Sequence, residues 1–350
     1  MLLSIIIPIF NREKIINNLY NNIKSFDFKD IEIIIVDDGS TDNTYEEVIN
    51  KFYFSKSTIR IYKQENSGPG GAKNKGLQHS TGKYIWFVDS DDFINIEAYF
   101  FLHDIKCDDY DFIDYNYVSK GKIISSIDTR FEEGKIVLDN ETSSLLKVNF
   151  GRIWTKIYSR DFLISNRIFF AENCFYEDNY LLFSLPNFTS CFYKTNICAY
   201  TYNEDLESVT RMKSFNPKFY DRLLTIHQGL IKILSANPNH IDIDIYTFKY
   251  TQIFLVNTIR YLLTRFIKRL EFSNLKRIKV VIDIFETENA QLGIGKLNHK
   301  IPLFYKLIIF SIKLIFLPQS IYQKRKMNIS YFYDINKKEW KYPIKFPNYI

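Results

Sequence analysis

The feature that most constrains the fold is a regular alternation, across residues 1–92, of short extended runs with segments of helical periodicity. The runs predicted to be strands are rich in β-branched residues: Leu3–Pro8, Ile31–Val36, Thr58–Lys63 and Lys83–Val88. The segments predicted to be helices lie between them: Glu13–Lys24, Thr41–Phe54 and a third from about Ala72. Strands that alternate with helices at this pitch form βαβ units. The sequence therefore predicts an α/β, Rossmann-like fold with a mostly parallel central sheet.

Composition is that of a folded protein, with 46% hydrophobic and 25% charged residues. The four cysteines show no CxxC pair and no zinc spacing, so we expect a reduced, cytoplasmic protein. The apolar start Met1–Ile7 lacks a basic region and a cleavage site, which favours a buried strand over a signal peptide. No run of apolar residues is long enough to predict a membrane-spanning helix.

Charge divides the chain into two parts. Acidic residues are in excess over residues 1–210, and basic residues are in excess over 211–350, within a net charge of +6. We expect residues 118–139 to form a hairpin or flap, Arg152–Tyr158 a strand and Tyr176–Phe183 the start of a helix. From about Pro217 the pattern is helical and basic. The sequence thus predicts two regions with different surfaces.

Two acidic clusters follow predicted strands, at Asp37-Asp38 and at Asp89-Ser90-Asp91-Asp92. In an open parallel sheet, ligands bind outside the carboxyl ends of the strands, so these side chains should converge on one crevice. Carboxylates there can accept hydrogen bonds from a ribose or a base, or can hold a hard cation. Several carboxylates without a cation repel one another, which favours a metal. The alternative is that they are only turn formers and helix caps.

A glycine-rich segment, Gly68-Pro69-Gly70-Gly71, precedes Lys73 near the start of the third predicted helix. Such a loop can approach a phosphate closely at a helix N-terminus. It matches neither the P-loop nor the dinucleotide-binding glycine pattern, so a plain turn is an equal alternative.

Taken together, these segments resemble the family 2 glycosyltransferases, whose fold is called GT-A. The resemblance rests on four segments in the family's order and spacing: Ser4–Asn11, Val36–Asp42, Gly71–Leu77 and Gly82–Asp92. Trp154–Tyr158, followed by Tyr176–Asp178, looks like the acceptor half of the same family. The resemblance covers residues 1–210, and it implies nucleotide-sugar binding by 1–117 and acceptor binding by 118–210.

The resemblance also implies roles for individual residues. In the nucleotide site, Pro8, Phe10 and Asn11 would line the base pocket, Asp38 would bond the uracil edge, Lys73 would lie near the nucleotide, and Asp89 would lie against the ribose. Lys73 departs from the family pattern, which often has Arg at this position. The compact ammonium of lysine therefore replaces the planar guanidinium of arginine.

The Asp-Ser-Asp sequence at 89–91 would be the DXD motif, with Asp91 coordinating Mn²⁺ or Mg²⁺ against the diphosphate. Asp178 would be the general base, with Glu177 as its neighbour or substitute. The alternative for Glu177 and Asp178 is a pair that favours a helix N-terminus.

The implied function is an inverting hexosyl transfer from UDP-hexose or UDP-N-acetylhexosamine to a glycan or lipid-linked acceptor, in capsule or lipopolysaccharide synthesis. A sugar-nucleotide pyrophosphorylase is a weaker alternative, because such enzymes carry a Gly-rich, Arg-containing loop where this chain has Pro8–Arg12. A non-catalytic nucleotide-binding relative is the third possibility. No nucleic-acid-binding motif is present.

The basic C-terminal region, residues 211–350, contains an apolar segment, Leu303–Leu317, in which Lys306 and Lys313 share one helical stripe. Lys324-Arg325-Lys326 follows it. Such a helix can lie in the interface of an anionic membrane, on the inner face of the cell membrane. A core helix of a helical subdomain is the alternative.

Overall fold

The computed structural model describes residues 1–26, 28–52, 58–105 and 109–203, and isolated positions beyond 203. Backbone contacts divide the chain into two compact units, Met1–Asp221 with Lys345–Ile350, and Arg222–Ile344. In the second unit the described positions include helical residues such as Ile259 and Val281. The prediction of a helical, basic C-terminal region and of a membrane-lying segment at 303–326 otherwise falls outside the described residues.

Ten strands of the first unit form one mixed sheet. Their bounds are β1 Leu3–Ile9, β2 Ile31–Asp37, β3 Thr58–Lys63, β4 Tyr84–Phe87, β5 Phe93–Ile94, β6 Phe112–Ser119, β7 Lys122–Ile124, β8 Gly134–Val137, β9 Lys156–Ser159 and β10 Cys191–Thr201. The main order is β3-β2-β1-β4-β9-β6-β10-β5, with β7 beside β6 and β8 beside β10. Strands β1 to β4 are parallel, while β9 is antiparallel to β4 and β6.

Seven α-helices belong to the described part of this unit. Their bounds are α1 Ile16–Ile23, α2 Thr44–Phe52, α3 Gly68–His79, α4 Glu97–Asp104, α5 Asn140–Val148, α6 Arg160–Ser165 and α7 Asp178–Phe188. The predicted alternation of strands and helices over residues 1–92 is confirmed. Helix α3 begins at Gly68, before the predicted Ala72, because Pro69 is in its first turn, where a missing N–H costs no hydrogen bond.

The centre of the sheet is covered on both faces, which explains its continuous apolar runs. Along β1, Ile5 and Ile7 pack on the side that holds α1 and α2, whereas Ile6 packs on the side of Ala72 and Leu77 in α3. Every residue of β1 and of β2 is buried. The loops that leave the carboxyl ends of these strands are therefore held by a rigid sheet.

Two predictions for the second half of this unit have different outcomes. The hairpin is confirmed only for the first part of residues 118–139: β6 and β7 are joined by Lys120 and Gly121, whose φ angles of 51° and 69° suit a type I′ turn, whereas β8 pairs with β10. The strand predicted over Arg152–Tyr158 is too long, since β9 begins only at Lys156. Residues 153–155 form a turn instead, in which the Lys156 N–H donates a 3.3 Å hydrogen bond to the Ile153 carbonyl.

Candidate active site

The candidate site lies at the carboxyl ends of β1, β2 and β4, which are neighbours in the sheet. Parallel register brings Ile9 of β1 opposite Asp37 of β2, and Ile6 opposite Phe87 of β4. The segments that follow these strands therefore leave the same edge. They contain Asn11, Asp38 and Asp91, the residues that the sequence predicts to converge.

The loop after β1 is fastened to the loop after β2 through Asn11. Its backbone N–H donates to Ser40 Oγ at 2.9 Å, and its side-chain oxygen accepts from the Thr41 N–H at 2.9 Å. Asn11 has a φ of 51°, a left-handed conformation that Asn tolerates. Pro8 is buried within β1, whereas Phe10 is 42% exposed beside this junction. Of the predicted base-pocket residues, Pro8 therefore lies inside the sheet, and Phe10 and Asn11 lie on the loop that follows it, where the Phe10 ring is open to solvent.

Asp38 is buried at the end of β2 and is held by the loop before α3. One carboxylate oxygen accepts from Gln64 Nε2 at 2.7 Å and from the Ser67 N–H at 2.9 Å. Burial raises the pKa of Asp38, and these hydrogen bonds oppose that rise. The carboxylate is therefore fixed in orientation, as a residue that reads a planar ligand edge must be.

Asp92 and Asp91, in the acidic cluster after β4, have different surroundings. Asp92 is buried, with one oxygen accepting from the Tyr200 hydroxyl at 2.6 Å and the other from the Asn203 N–H at 2.8 Å. Burial, with the nearby Asp89 carboxylate, raises the pKa of Asp92 to about 8. Both oxygens of Asp92 are thus bonded to other protein groups. Asp91 remains partly exposed, with its side chain 21% accessible.

Asp91 is the carboxylate that the family resemblance assigns to a cation. Burial and the neighbouring Asp89 raise its pKa, and the Arg12 guanidinium, 3.8 Å away, partly offsets them. Among the described residues, no group of three or more His, Cys, Asp or Glu side chains is arranged to hold a metal. A site with few protein ligands still suits Mg²⁺, which is commonly bound by one or two carboxylates together with substrate phosphates. The donor set at Asp91 therefore fits a cation shared with a diphosphate.

Lys73 joins the nucleotide half to the predicted base. Its buried ammonium lies 3.0 Å from Glu177 Oε1 and 3.2 Å from Asp89 Oδ1, and 5.2 Å from the ring centre of Phe170. Burial alone would lower the pKa of Lys73, but the Asp89 and Glu177 carboxylates raise it above its usual value. Lys73 is therefore charged, and it bridges two carboxylates from distant parts of the sequence.

Asp178 is the first residue of α7, and Glu177 immediately precedes the helix. Burial, reinforced by the Glu177 carboxylate, raises the pKa of Asp178 to about 6, although Lys73 and Arg152 act in the opposite direction. A carboxyl group with such a pKa is ionised near neutral pH and still accepts a proton readily. The arrangement can therefore perform general-base chemistry.

Helix α3 packs directly on the segment that leads to α7. A Cβ atom added at Gly70 would lie 1.9 Å from the Ala171 carbonyl oxygen and 3.1 Å from the Glu177 Cβ. Asn74 adds two hydrogen bonds to Phe170, donating to its carbonyl at 2.9 Å and accepting from its N–H at 2.8 Å. The glycine-rich segment thus serves close packing between the two halves of the site.

Sequence reasoning missed three residues that the structure brings to this site. Arg12 pairs with Asp91, Arg152 lowers the pKa of Asp178, and Tyr200 fastens Asp92. Arg12 directly follows Asn11 after β1, so its position in the sequence could have identified it as a site residue. Arg152 and Tyr200 carry no such signal, because their proximity depends on how β9 and β10 join the sheet.

Trp154, which begins the segment that resembles the acceptor half of the family, packs mainly against other aromatic rings. Its ring stacks on Tyr200, with centroids 4.3 Å apart, and is parallel to Tyr202 at 5.8 Å. Its carbonyl accepts a 3.0 Å hydrogen bond from Trp86 Nε1. These contacts give Trp154 a packing role.

Comparison with known proteins gives a family match and several relatives. Residues 4–123 match the sequence model of the family described as Glycosyl transferase family 2. The uncharacterized glycosyltransferase YibD of Escherichia coli strain K12 is 31% identical over 186 residues, which are 50% of this chain and 54% of that protein. The minor teichoic acid biosynthesis protein GgaA of Bacillus subtilis strain 168 is 30% identical over 275 residues, 74% of this chain and 59% of that protein. The chain thus matches little more than half the length of either relative.

Among solved structures, residues 1–349 of TarS from Staphylococcus aureus in complex with UDP-GlcNAc superpose with a TM-score of 0.64. The two are 22% identical, and the match covers 82% of this chain and 81% of that one. At this identity the likeness shows a shared fold, which is the GT-A fold expected from the sequence. Within the part of the chain that the structure describes, no helix has the length and apolar character needed to cross a membrane.

Proposed function

Because this chain belongs to glycosyl transferase family 2 through residues 4–123, we propose that it transfers a sugar from a UDP-activated donor to a glycan or lipid-linked acceptor. The observation that carries this proposal is that the Lys73 ammonium lies 3.2 Å from Asp89 and 3.0 Å from Glu177, which brings the segments containing Asp91 and Asp178 to one ammonium group. The same ammonium lowers the pKa of both Asp91 and Asp178, although Asp91 follows β4 and Asp178 begins α7. One site therefore contains Asp91, whose carboxylate is assigned to a cation, and Asp178, whose carboxylate is assigned to accept a proton.

The nucleotide is assigned to the crevice at the ends of β1 and β2. Phe10 offers an exposed ring and Asp38 an oriented carboxylate for the base, with Pro8 and Asn11 shaping the loop between them. Asp89, whose side chain is 36% exposed, is assigned to the ribose. A UDP donor agrees with the UDP-GlcNAc bound in the structure of TarS, whose fold this chain shares.

Asp91 is assigned to hold Mn²⁺ or Mg²⁺ together with the diphosphate. When bound, a divalent cation supplies Lewis-acid stabilisation of negative charge on the leaving nucleotide. Arg12 adds a fixed positive charge beside the same carboxylate. Charge that develops on the diphosphate is thereby met by groups already in position, which is the most effective form of electrostatic catalysis.

Asp178 is assigned as the general base. As the acceptor hydroxyl oxygen forms a bond to the anomeric carbon, its proton passes to the Asp178 carboxylate. The bond from that carbon to the diphosphate breaks, and UDP leaves with the electron pair. Attack from the face opposite the nucleotide inverts the configuration at the anomeric carbon. A carboxylate with a pKa of about 6 remains ionised at neutral pH and so stays available for this step.

The acceptor is assigned to the region 118–210, where Arg152 and Trp154 lie on the turn before β9. We infer that the product is a bacterial surface polysaccharide. The name of GgaA, a teichoic acid biosynthesis protein, supports a polymer of this class. The sequence alone suggested capsule or lipopolysaccharide synthesis, and the teichoic-acid relative widens that range.

The proposal is tested first by calorimetric titration of the full chain with UDP, in Mn²⁺ and again in EDTA. We expect metal-dependent binding that Asp91→Asn weakens at least tenfold, since removing a coordinating carboxylate removes the cation with it. Asp109→Asn is the matched control, because its side chain is 97% exposed. Absence of UDP binding in both conditions would count against the nucleotide assignment.

Turnover separates the proposed enzyme from a non-catalytic relative. UDP release from UDP-GlcNAc or UDP-glucose that depends on Asp178 supports transfer, whereas tight UDP binding without turnover on any acceptor favours a binding protein. The anomeric configuration of the product, read from the proton coupling in NMR, tests inversion. Retention of configuration would refute the role given to Asp178.

A further inference from the structure

Among the described side chains, only the Lys73 ammonium forms ion pairs with both Asp89 and Glu177. Asp89 follows β4 in the nucleotide half, whereas Glu177 lies immediately before α7. The Lys73 side chain is 8% exposed and the Glu177 side chain 11% exposed. A buried ammonium of this kind is stable only when its partners stay in place, because an unpaired buried charge is costly.

The geometry also distinguishes Glu177 from Asp178. The Glu177 carboxylate is directed to Lys73, with an Nζ–Oε1 distance of 3.0 Å. Asp178 makes no ion pair among the described residues, and it begins the helix next to Glu177. The ion pair therefore engages the Glu177 carboxylate, whereas the adjacent Asp178 carboxylate has no such pair among the described residues.

We propose that Lys73 and Glu177 are positioning residues for Asp178, and that their ion pair fixes which of the two adjacent carboxylates serves as the base. This inference rests on the proposed function. The fit of α3 against residues 170–177 keeps the pair in register, because Gly70 and Asn74 leave no room for α3 to slide. Since Lys73 also touches Asp89, the same ammonium links the ribose-side carboxylate to the base.

Several charged or titratable groups face Asp178. Glu177 precedes Asp178 in the sequence, and Lys73 comes from α3. The others are Asp89 after β4, Arg152 before β9 and Tyr158 within β9. Glu177 and Asp89 disfavour the ionised carboxylate, while Lys73 and Arg152 favour it. Removing Lys73 or Glu177 must therefore displace the ionisation of Asp178 in opposite directions.

The experiment is the pH dependence of kcat for UDP release from UDP-GlcNAc in Mn²⁺, measured on the full chain from pH 4.5 to 9. In Lys73→Met the acidic limb of the kcat–pH profile should move to higher pH by about 1 pH unit. In Glu177→Gln it should move to lower pH by about the same amount. Lys73→Arg keeps the charge, so its limb should stay near that of the unmodified protein. The double variant Lys73→Met/Glu177→Gln removes both charges, so its two shifts should largely cancel.

A purely structural role predicts a different result. In that case kcat falls in the variants while the limb stays where it is, and this outcome overturns the inference. If Lys73→Met does not fold, Glu177→Gln alone carries the test, because Lys73 then still pairs with Asp89 at 3.2 Å. A limb displaced by about 1 pH unit in the double variant would also contradict the proposal. Absence of UDP binding and turnover in the unmodified protein would instead overturn the proposed function.

Discussion

The Tyr200 hydroxyl donates a 2.6 Å hydrogen bond to Asp92 Oδ2 and accepts a 3.2 Å hydrogen bond from the Asp89 N–H. Tyr200 belongs to β10, whereas both partners follow β4. One phenol thus fixes both ends of the acidic segment, so that the intervening Asp91 is held at the edge of the crevice.

Replacing Tyr200 with Phe should lower the free energy of unfolding by about 1–3 kcal/mol, because a buried carboxyl group and a backbone N–H lose their partner. Chemical denaturation followed by far-UV circular dichroism measures the change. Tyr193→Phe is the control in the same strand, since it keeps the ring contacts with Phe101 and Tyr110. Equal stability of the two variants would contradict the structural role given to Tyr200.

A second prediction concerns a buried ion cluster in the acceptor half. Asp114 lies 2.8 Å from the Lys156 ammonium and 3.7 Å from that of Lys194, and all three side chains are at most 3% exposed. Asp114→Asn leaves two ammonium groups without their counter-charge. We expect a loss of about 3–5 kcal/mol in the free energy of unfolding.

The matched control for this change is Asp109→Asn, whose side chain is 97% exposed and pairs with Lys83 at the surface. It should alter the free energy of unfolding by less than about 1 kcal/mol. Denaturant midpoints of the two variants give the comparison. If Asp114→Asn were as stable as the control, the cluster would not be what holds β6, β9 and β10 together.

A third prediction concerns the contact between the two halves of the site. In Gly70→Ala the new methyl group would meet the Ala171 carbonyl oxygen at 1.9 Å, so α3 or residues 171–177 must move. We expect a loss of about 1–3 kcal/mol in stability, as for overpacked cores. Turnover should fall more than UDP affinity, because the displaced residues include the base.

Gly121→Asn serves as the control for that substitution. Gly121 has a φ of 69° and no atom within 4 Å of an added Cβ, and Asn tolerates this conformation. Its stability and turnover should match those of the unmodified protein. If UDP affinity fell more than turnover in Gly70→Ala, the result would contradict the proposed packing of α3 against the segment that holds the base.

The fourth prediction is the pH profile of the unmodified protein. Asp178 acts as a base only when ionised, so kcat should rise about tenfold per pH unit below its pKa of about 6 and level off above it. Asp178→Asn should lose at least about a hundredfold in kcat and lack this limb. A limb that persists in Asp178→Asn would assign the base to another residue.

The sequence by itself determined the frame of this protein. Continuous apolar runs such as Ile31–Val36 specify strands buried on both faces, because side-chain period and burial are local properties of the chain. The positions of Asp38 and Asp91 follow from that frame, since the ends of parallel strands share one edge. The family resemblance was carried by these same local segments.

Other features are decided only by tertiary structure. That Lys73 bridges Asp89 and Glu177, and that Tyr200 fastens Asp92, depends on segments about 100 residues apart in the chain. The turn before β9, in place of the predicted strand, is closed by the Lys156 N–H bond to the Ile153 carbonyl, and the buried Lys156 ammonium adds a bond to the Arg152 carbonyl. Local propensity favours one conformation of a segment, but buried charges and polar groups require partners wherever the fold brings them. Which carboxylate binds, which accepts a proton and which only holds the loop is therefore a property of the folded site.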